Sequence, residues 1–408
     1  MERTAGPRID RLLLGDADAA PREASPYPSA KACSFHYPLC VSGRDPGSVL
    51  STLSAAEGMW QLSQALDWPV PEKVTLELDA DLDADIHVQF TQINTLSAFD
   101  AGLARARVLS TLKGCPLDHA VLRALLEVGT FSRSPGWKAT LRDGFAASLA
   151  DTVLACEGSD RAGRTARAQS NPEGDVFGFG SEARTEATAA PEIFFRWLDA
   201  HYGKSILNAV AAMTAGHTPA GSDRWVNEPD LFDVLGDNLR SLQFKTSTLA
   251  DVVCDFGIDR YFFGRDRAAF PEAARLPPVK PDWEVPWPAA PRRLLGPRPL
   301  HPFGTTYVLI DLSGRNGHGL RMEAEWERFA RIRWHFVKLD AAGHDIGRVP
   351  VPAPDKATEA QMTLSEPGSA AYLLLVGTNL GDPLEPFDPD WSSMEPHNYT
   401  VTLSSDRD

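Results

Sequence analysis

The first half of the chain shows both helical and strand-like spacing of its apolar residues. From Val49 to Leu66 apolar side chains recur every three or four positions, which predicts a helix that ends at Trp68-Pro69-Val70-Pro71. From Val74 to Val88 apolar and polar residues alternate, which is the pattern of a half-buried strand. This region therefore predicts a helix followed by a strand.

Two more helical patterns follow closely on one another. LDHAVLRALLEV begins at Leu117, and GWKATLRDGFAASLADTVLAC begins at Gly136. A polar, Arg- and Gly-containing loop is expected over 157–188, after which helical spacing resumes and continues over 191–263. Most of this region is predicted to be helical.

From Phe303 onwards the apolar residues recur with a period of two. Five segments have this alternation, and turn signals such as Ser313-Gly314 and Asn316-Gly317 separate them. Regularly spaced strands of this kind predict an antiparallel β-sandwich. The five segments are Thr306–Leu312, Leu320–Trp326, Arg331–Leu339, Ala371–Asn379 and Tyr399–Leu403.

A proline-rich segment, 271–302, separates the helical region from the predicted strands. Its prolines exclude a regular helix or a central strand, so an extended linker or a wrapping segment is expected. Trp283 and Trp287 indicate that this segment packs against something. The pattern as a whole predicts an α+β protein, with a flexible leader (1–32), a mainly helical domain (33–270), this linker (271–302) and an antiparallel β-sandwich (303–408).

Composition and charge narrow the classes of partner. A chain of 408 residues with a net charge of −15 is long enough for two domains. The net charge argues against a nucleic acid or an anionic membrane surface as partner, because both attract clustered Lys and Arg. No apolar stretch approaches the length of a membrane span, so no integral membrane span is expected.

The five cysteines bear on the compartment. Cys115 precedes the first of the two consecutive helices and Cys156 closes the second, so antiparallel packing would allow a disulfide between them. Cys33 and Cys40 could form a second bridge, and Cys254 is expected to be a buried thiol.

Two bridges predict an exported protein that is periplasmic, on the cell surface or extracellular, whereas free cysteines would indicate the cytoplasm. The apolar run at 12–14 is too short for the core of a signal peptide. An export signal is therefore expected upstream of the start codon used here.

The helix pair and its surroundings resemble secreted bacterial gluzincin-like metallopeptidases. The resemblance covers about 35–264. It includes Trp197-Leu-Asp-Ala-His-Tyr-Gly and the Asp143-Gly-Phe-Ala stretch, where that family has an E-G-T-A-like segment. The family carries H-E-x-x-H on the first helix. In this chain the matching residues are His119-Ala-Val-Leu-Arg123.

The resemblance implies that the zinc motif has been lost. The ligand positions fall on His119, Arg123 and Asp143, and the position of the catalytic glutamate falls on Ala120. Arg123 cannot ligate zinc because its guanidinium stays protonated. It shares a helix face with His119, and an ion pair with Asp143 would fill the place of the metal. We therefore expect no metal, no other cofactor and no zinc hydrolysis at this site.

Two functions remain open. The first is a non-catalytic exported protein that binds a peptide, protein or polymer partner. The second is an active hydrolase with an unrecognised carboxylate-based or metal site, for which Glu127, Asp143, Glu228 and Asp230 are candidates. The helix pair is also compatible with an unrelated helical domain in which His119 is a capping or surface residue.

Overall fold

The computed structural model describes residues 30–82, 84–89, 105–134, 137–154, 156, 161–178, 189–203, 206–214, 219–220, 224–225, 231–235, 248–265, 271–288, 290–315, 318–382, 387 and 392–406. Its helices and strands form a mixed α+β fold, which confirms the predicted class at that level.

Helices predominate in the middle of the chain, and strands predominate after residue 282. The helices are α1 Pro46–Ala65, α2 Cys115–Arg133, α3 Ala139–Val153, α4 Arg161–Ser170, α5 Ala189–Tyr202, α6 Ile206–Met213, α7 Leu231–Asp233 and α8 Leu249–Arg260. The strands of the first half are β1 Ala30–Cys33, β2 Leu39–Gly43, β3 Val74–Asp79, β4 Ile86–Gln89, β5 Arg105–Leu109, β6 Pro219–Ala220 and β7 Arg224–Trp225. Those of the second half are β8 Trp283–Pro286, β9 Arg292–Leu295, β10 Thr305–Asp311, β11 Leu320–Trp326, β12 Ile332–Leu339, β13 Asp345–Val351, β14 Glu359–Leu364, β15 Tyr372–Asn379 and β16 Tyr399–Ser405.

The chain divides into two compact units that interleave along the sequence. The first unit consists of 1–160 and 202–234, and the second consists of 161–201 and 235–408. This division differs from the predicted boundaries, because much of the predicted helical domain belongs to the unit that contains the C-terminal sheets. The predicted leader also differs at its end, since β1 starts at Ala30.

The first unit contains a five-stranded mixed sheet with the order β1-β2-β3-β5-β4. β2, β3 and β5 run parallel, and β1 and β4 are antiparallel edge strands. Apolar side chains of the sheet share a core with α1 and α2, in which Leu76, Trp60 and Val121 are all buried. The single strand predicted over 74–88 is two strands, β3 and β4, and β5 lies between them in the sheet. This unit also holds far more sheet than a mainly helical domain implies.

Helix α1 begins and ends as its sequence dictates. The Asp45 side chain caps it by accepting a 2.7 Å hydrogen bond from the backbone N of Ser48, and Pro46 occupies its first turn. The helix ends at Leu66, next to Asp67, whose φ of 54° lies in the left-handed region. Between these ends, Trp60 lies in the core that the helix shares with the sheet.

Gly129 of α2 is expected to be intolerant of a side chain. A methyl group at Gly129 would lie 2.3 Å from the carbonyl oxygen of Pro69. We expect Gly129→Ala to lower the free energy of unfolding by about 2–3 kcal/mol, because backbone must move. Gly58→Ala in α1 is the matched control, since nothing lies within 4 Å of its methyl group. That variant should gain about 0.5–1 kcal/mol. Chemical denaturation measures both, and equal effects would contradict the packing described.

The second unit contains two sheets that pack over a shared apolar core. Their orders are β13-β12-β15-β10-β8 and β14-β11-β16-β9. Trp334 and Phe336 of the first sheet meet Met322 and Val401 of the second in this core. All five segments predicted as strands are strands in the structure, to within a few residues at their ends.

The proline-rich segment, expected to be an extended linker or a wrapping segment, contributes one strand to each of these two sheets. β8 pairs in parallel with β10, and β9 pairs antiparallel with β16. Each of these strands lies at the edge of its sheet, which agrees with the exclusion of a central strand. Trp287 is buried in the core, as expected for a segment that packs.

The predicted loop over 157–188 also needs correction. It contains helix α4, and Phe177 beyond that helix is fully buried. The Phe177 ring lies 5.0 Å from the rings of both Phe194 and Phe303. Helices α5 and α8 pack in the same unit, where the Trp197 indole donates a 2.9 Å hydrogen bond to Asp259. Aromatic anchors therefore tie this part of the chain to the second unit.

Candidate functional site

The residues at the predicted zinc positions lie on the helix pair α2 and α3 of the first unit. Helix α2 starts after Gly114, with Pro116 in its first turn and Asp118 beside it. Burial raises the pKa of the Asp118 carboxyl above its ordinary value. Both helices are buried on most of their faces, so their polar side chains are held inside the protein.

A single stripe of α2 carries three residues that link it to α3. Cys115, His119 and Arg123 are four residues apart, a spacing that places them on one face of the helix. They are joined respectively to Cys156, Asp151 and Asp143. The partner numbers fall as the α2 numbers rise, which is the register of two antiparallel helices. We call these six residues the linked stripe.

The central link of the linked stripe is a buried ion pair. Arg123 Nε donates to Asp143 Oδ1 at 2.7 Å, and Arg123 Nη2 lies 2.5 Å from the same oxygen. Only 7% of the Arg123 side chain and 10% of the Asp143 side chain are exposed. The predicted Arg123–Asp143 ion pair is therefore present. Its low exposure strengthens the attraction between the two charges.

His119 has a different partner from the one that a zinc site would give it. Its Nε2 lies 2.8 Å from Asp151 Oδ1, and its side chain is buried. It is therefore neither a capping nor a surface residue. Sequence reasoning missed Asp151, although a Cys115–Cys156 bridge between antiparallel helices sets a register that brings Asp151 close to His119.

The arrangement does not fit a zinc ion. A catalytic zinc needs three protein ligands with available lone pairs, but here a permanent cation lies on the Asp143 carboxylate. Within the described ranges, no group of three or more His, Cys, Asp and Glu side chains could hold a metal ion. Ala120, which the resemblance would place at the position of the general base, is packed in the apolar core that α2 shares with the sheet.

A second buried cation lies near the stripe. The Arg142 guanidinium lies over the Phe131 ring at 4.8 Å, and its Nη1 donates to the carbonyl oxygen of Trp137. Glu127 lies four residues after Arg123 on the same face and is 2% exposed. Arg142 and Glu127 thus add two buried charged side chains to the helix pair.

The remaining candidate residues do not belong to the linked stripe. Glu228 and Asp230 lie outside the described residues. Cys33 and Cys40 form the second predicted disulfide. Cys254 is a buried thiol whose pKa is raised by burial to about 12, so it stays protonated near neutral pH.

Fold and stripe together define a two-unit α+β protein whose antiparallel helix pair is joined by a disulfide and two buried polar links. Comparison with known proteins does not narrow this class further. No family model matches the chain, and no curated protein matches it. Among solved structures, Aeromonas hydrophila PliG, a periplasmic lysozyme inhibitor of g-type lysozyme, is similar over 30% of this chain and 99% of its own, at 11% identity and a TM-score of 0.18.

Proposed function

We propose that this chain is a non-catalytic exported protein on a metallopeptidase-like scaffold, which binds a peptide, protein or polymer partner. The Arg123–Asp143 ion pair is the observation that carries this proposal. In the family that the sequence resembles, those two positions hold ligands of a catalytic zinc. Here the guanidinium provides a fixed positive charge at that position instead.

The chemistry of this substitution removes two separate requirements for hydrolysis. A guanidinium has no lone pair for a metal, and its charge repels a divalent cation. Ala120 has no group that could accept a proton from water, and its surroundings are apolar. Restoring activity would therefore require more than one substitution.

The two disulfides support export. Cys33–Cys40 and Cys115–Cys156 are bridges of the kind that persist in oxidising compartments such as the periplasm or the cell exterior. In the part of the chain that the structure describes, no helix is long and apolar enough to cross a membrane. The net charge of −15 favours a protein, peptide or neutral polymer over nucleic acid.

A zinc titration of the purified oxidised chain tests the proposal. We expect well under one equivalent of zinc per chain after dialysis, and no zinc-dependent cleavage of a mixed peptide library. One tightly held equivalent that is lost in Asp143→Asn would contradict the proposal. It would favour the alternative, an active hydrolase with a metal site. Because Asp143→Asn leaves the Arg123 guanidinium buried without its counter-charge, circular dichroism of this variant is recorded first, and only zinc loss from a folded variant counts.

A further inference from the structure

A charged layer joins helix α8 to the β13-β12-β15-β10-β8 sheet, on the face that points away from the sandwich core. Asp251, Asp255 and Asp259 lie four residues apart on α8, a spacing that places them on one side of the helix. They contact two arginines of the sheet, Arg333 of β12 and Arg348 of β13. We call these five residues the α8 layer.

The two arginines of the α8 layer hold different parts of the helix. Arg333 Nη1 lies 3.1 Å from Asp251 Oδ1 in the first turn of α8. Arg348 Nη2 lies 2.6 Å from Asp259 Oδ1 in the last turn, and its Nη1 lies 3.8 Å from Asp255 Oδ1 in the middle of the helix. Ion pairs therefore attach α8 to the sheet at both of its ends.

His335 lies between these two attachments. It stands two residues after Arg333 on β12, and Arg348 is its diagonal neighbour on β13. Alternation along the strand puts its side chain on the same face as Val337, which packs in one apolar cluster with Ile258 of α8. A titratable ring is thus placed between two permanent cations, on the sheet face that α8 covers.

The surroundings of His335 suit the uncharged form of its ring. Its Nδ1 is buried, and no group of the described residues makes a hydrogen bond to it. A neutral imidazole needs no partner there when Nδ1 carries no hydrogen, whereas the protonated ring must donate from both nitrogens. Burial and the charges of Arg333 and Arg348 lower the pKa of His335 to about 4, while Asp251 acts in the opposite sense.

We propose that His335 makes the attachment of α8 acid-sensitive, so that a proton on its ring separates the helix from the sheet. The protonated ring would be a third cation beside Arg333 and Arg348, with no acceptor at Nδ1. In the separated state the ring reaches water, and its pKa returns towards the ordinary value of 6.5. Because the open state binds the proton more strongly, acidification favours opening. This switch is independent of the binding role proposed above.

The carboxyl groups of the α8 layer do not produce the same response. Burial raises the pKa of Asp255, so this carboxyl favours the closed helix as pH falls, which is the opposite sign. Burial alone would raise the pKa of Asp259, but its hydrogen bonds and the charge of Arg348 lower it, so this group acts below its ordinary 3.8. The other charged or titratable groups that face the layer are Arg331, Asp345, Asp355, His201 and Cys254.

Cys254 reports the opening, because it is buried on α8 and is the thiol left after the two disulfides. Its labelling by a dipyridyl disulfide, a reagent that reacts in acid, is measured on the full oxidised chain and normalised to an unstructured peptide with the same cysteine. From pH 7 to pH 5 the normalised rate should rise about 20-fold, as linkage gives for a pKa that falls from 6.5 to about 4. Near-UV circular dichroism should remain that of the folded chain, because the opening is local.

Matched histidine variants decide the proposal. His335→Gln should reduce the rise to less than about threefold, whereas His318→Gln, which replaces an exposed histidine of the same unit, should keep it. A rise that persists in His335→Gln, or one that only His201→Gln removes, would overturn the proposal. The NMR titration of the wild-type His335 ring decides the matter where His335→Gln does not fold. A midpoint below about pH 5 would support the proposal, and one near the ordinary 6.5 would overturn it.

Discussion

Replacing Arg123 with leucine is expected to lower the free energy of unfolding of the first unit by about 3–5 kcal/mol, because the Asp143 carboxylate stays buried after its cation is removed. The 2.7 Å hydrogen bond and the 10% exposure of the Asp143 side chain are the basis for this magnitude. An ion pair on the surface would give only about 0–1 kcal/mol. Urea denaturation followed by circular dichroism and tryptophan fluorescence measures the change.

The double variant Arg123→Leu/Asp143→Leu is the control that separates charge from packing. It removes both charges together, so no buried charge is left without its counter-charge and most of the lost stability should return. The coupling energy from the double-mutant cycle should be well above the few tenths of a kcal/mol typical of independent sites. Additive single effects would show that the two residues do not act as a pair.

Removing the Cys115–Cys156 bridge is expected to produce the other large effect. The bridge joins residues 41 apart, and closing a loop of that length in the unfolded chain stabilises the fold by about 4 kcal/mol in the chain-entropy account. The double variant Cys115→Ser/Cys156→Ser should lose about that amount. It should also weaken the His119 and Arg123 links, which lie on the same face of α2.

The second disulfide supplies an internal comparison. Cys33 and Cys40 are only 7 residues apart, so Cys33→Ser/Cys40→Ser should lose less, about 2.5 kcal/mol. Denaturation of the two variants side by side, in the absence of reductant, gives the order. A larger loss from the short loop would contradict this account of how the bridges act.

The linked stripe shows what sequence spacing could and could not reveal. Arg123 and Asp143 were predictable as a pair, because the resemblance put both at one former ligand site and their charges are opposite. The contact between His119 and Asp151 depends on the register of two helices, which no apolar pattern within either helix specifies and for which the Cys115–Cys156 bridge was the one signal. Ala120 is explained by the same geometry, since the adjacent position on α2 turns towards the sheet.

The strands of the second unit were predictable where alternation was clear, as in Leu320–Trp326. They were missed where the signal was interrupted. β13 contains Pro350 and β8 ends at Pro286, so both read as irregular although both pair at a sheet edge. An edge strand can accept a proline because one side of its backbone makes no ladder hydrogen bonds.

The division into units was beyond sequence reasoning for a different reason. Apolar spacing identifies a helix and its buried face, but it does not identify the surface that this face meets. Helix α8 packs with the sheets that follow it, where Gly257 accepts a 2.5 Å hydrogen bond from the Tyr307 hydroxyl. Helical spacing in α8 alone would fit a purely helical domain equally well.

One measurement tests most directly the claim that the linked stripe occupies a former zinc site. The variant Arg123→His/Asp143→Glu introduces two potential zinc ligands, which make three together with His119. Ala120 stays in the apolar core, so the variant tests metal binding without catalysis. We predict that the folded variant takes up about one zinc per chain with a Kd below about 1 µM, and that adding His119→Ala abolishes this uptake. A folded Arg123→His/Asp143→Glu variant that holds no more zinc than the wild type would contradict the account.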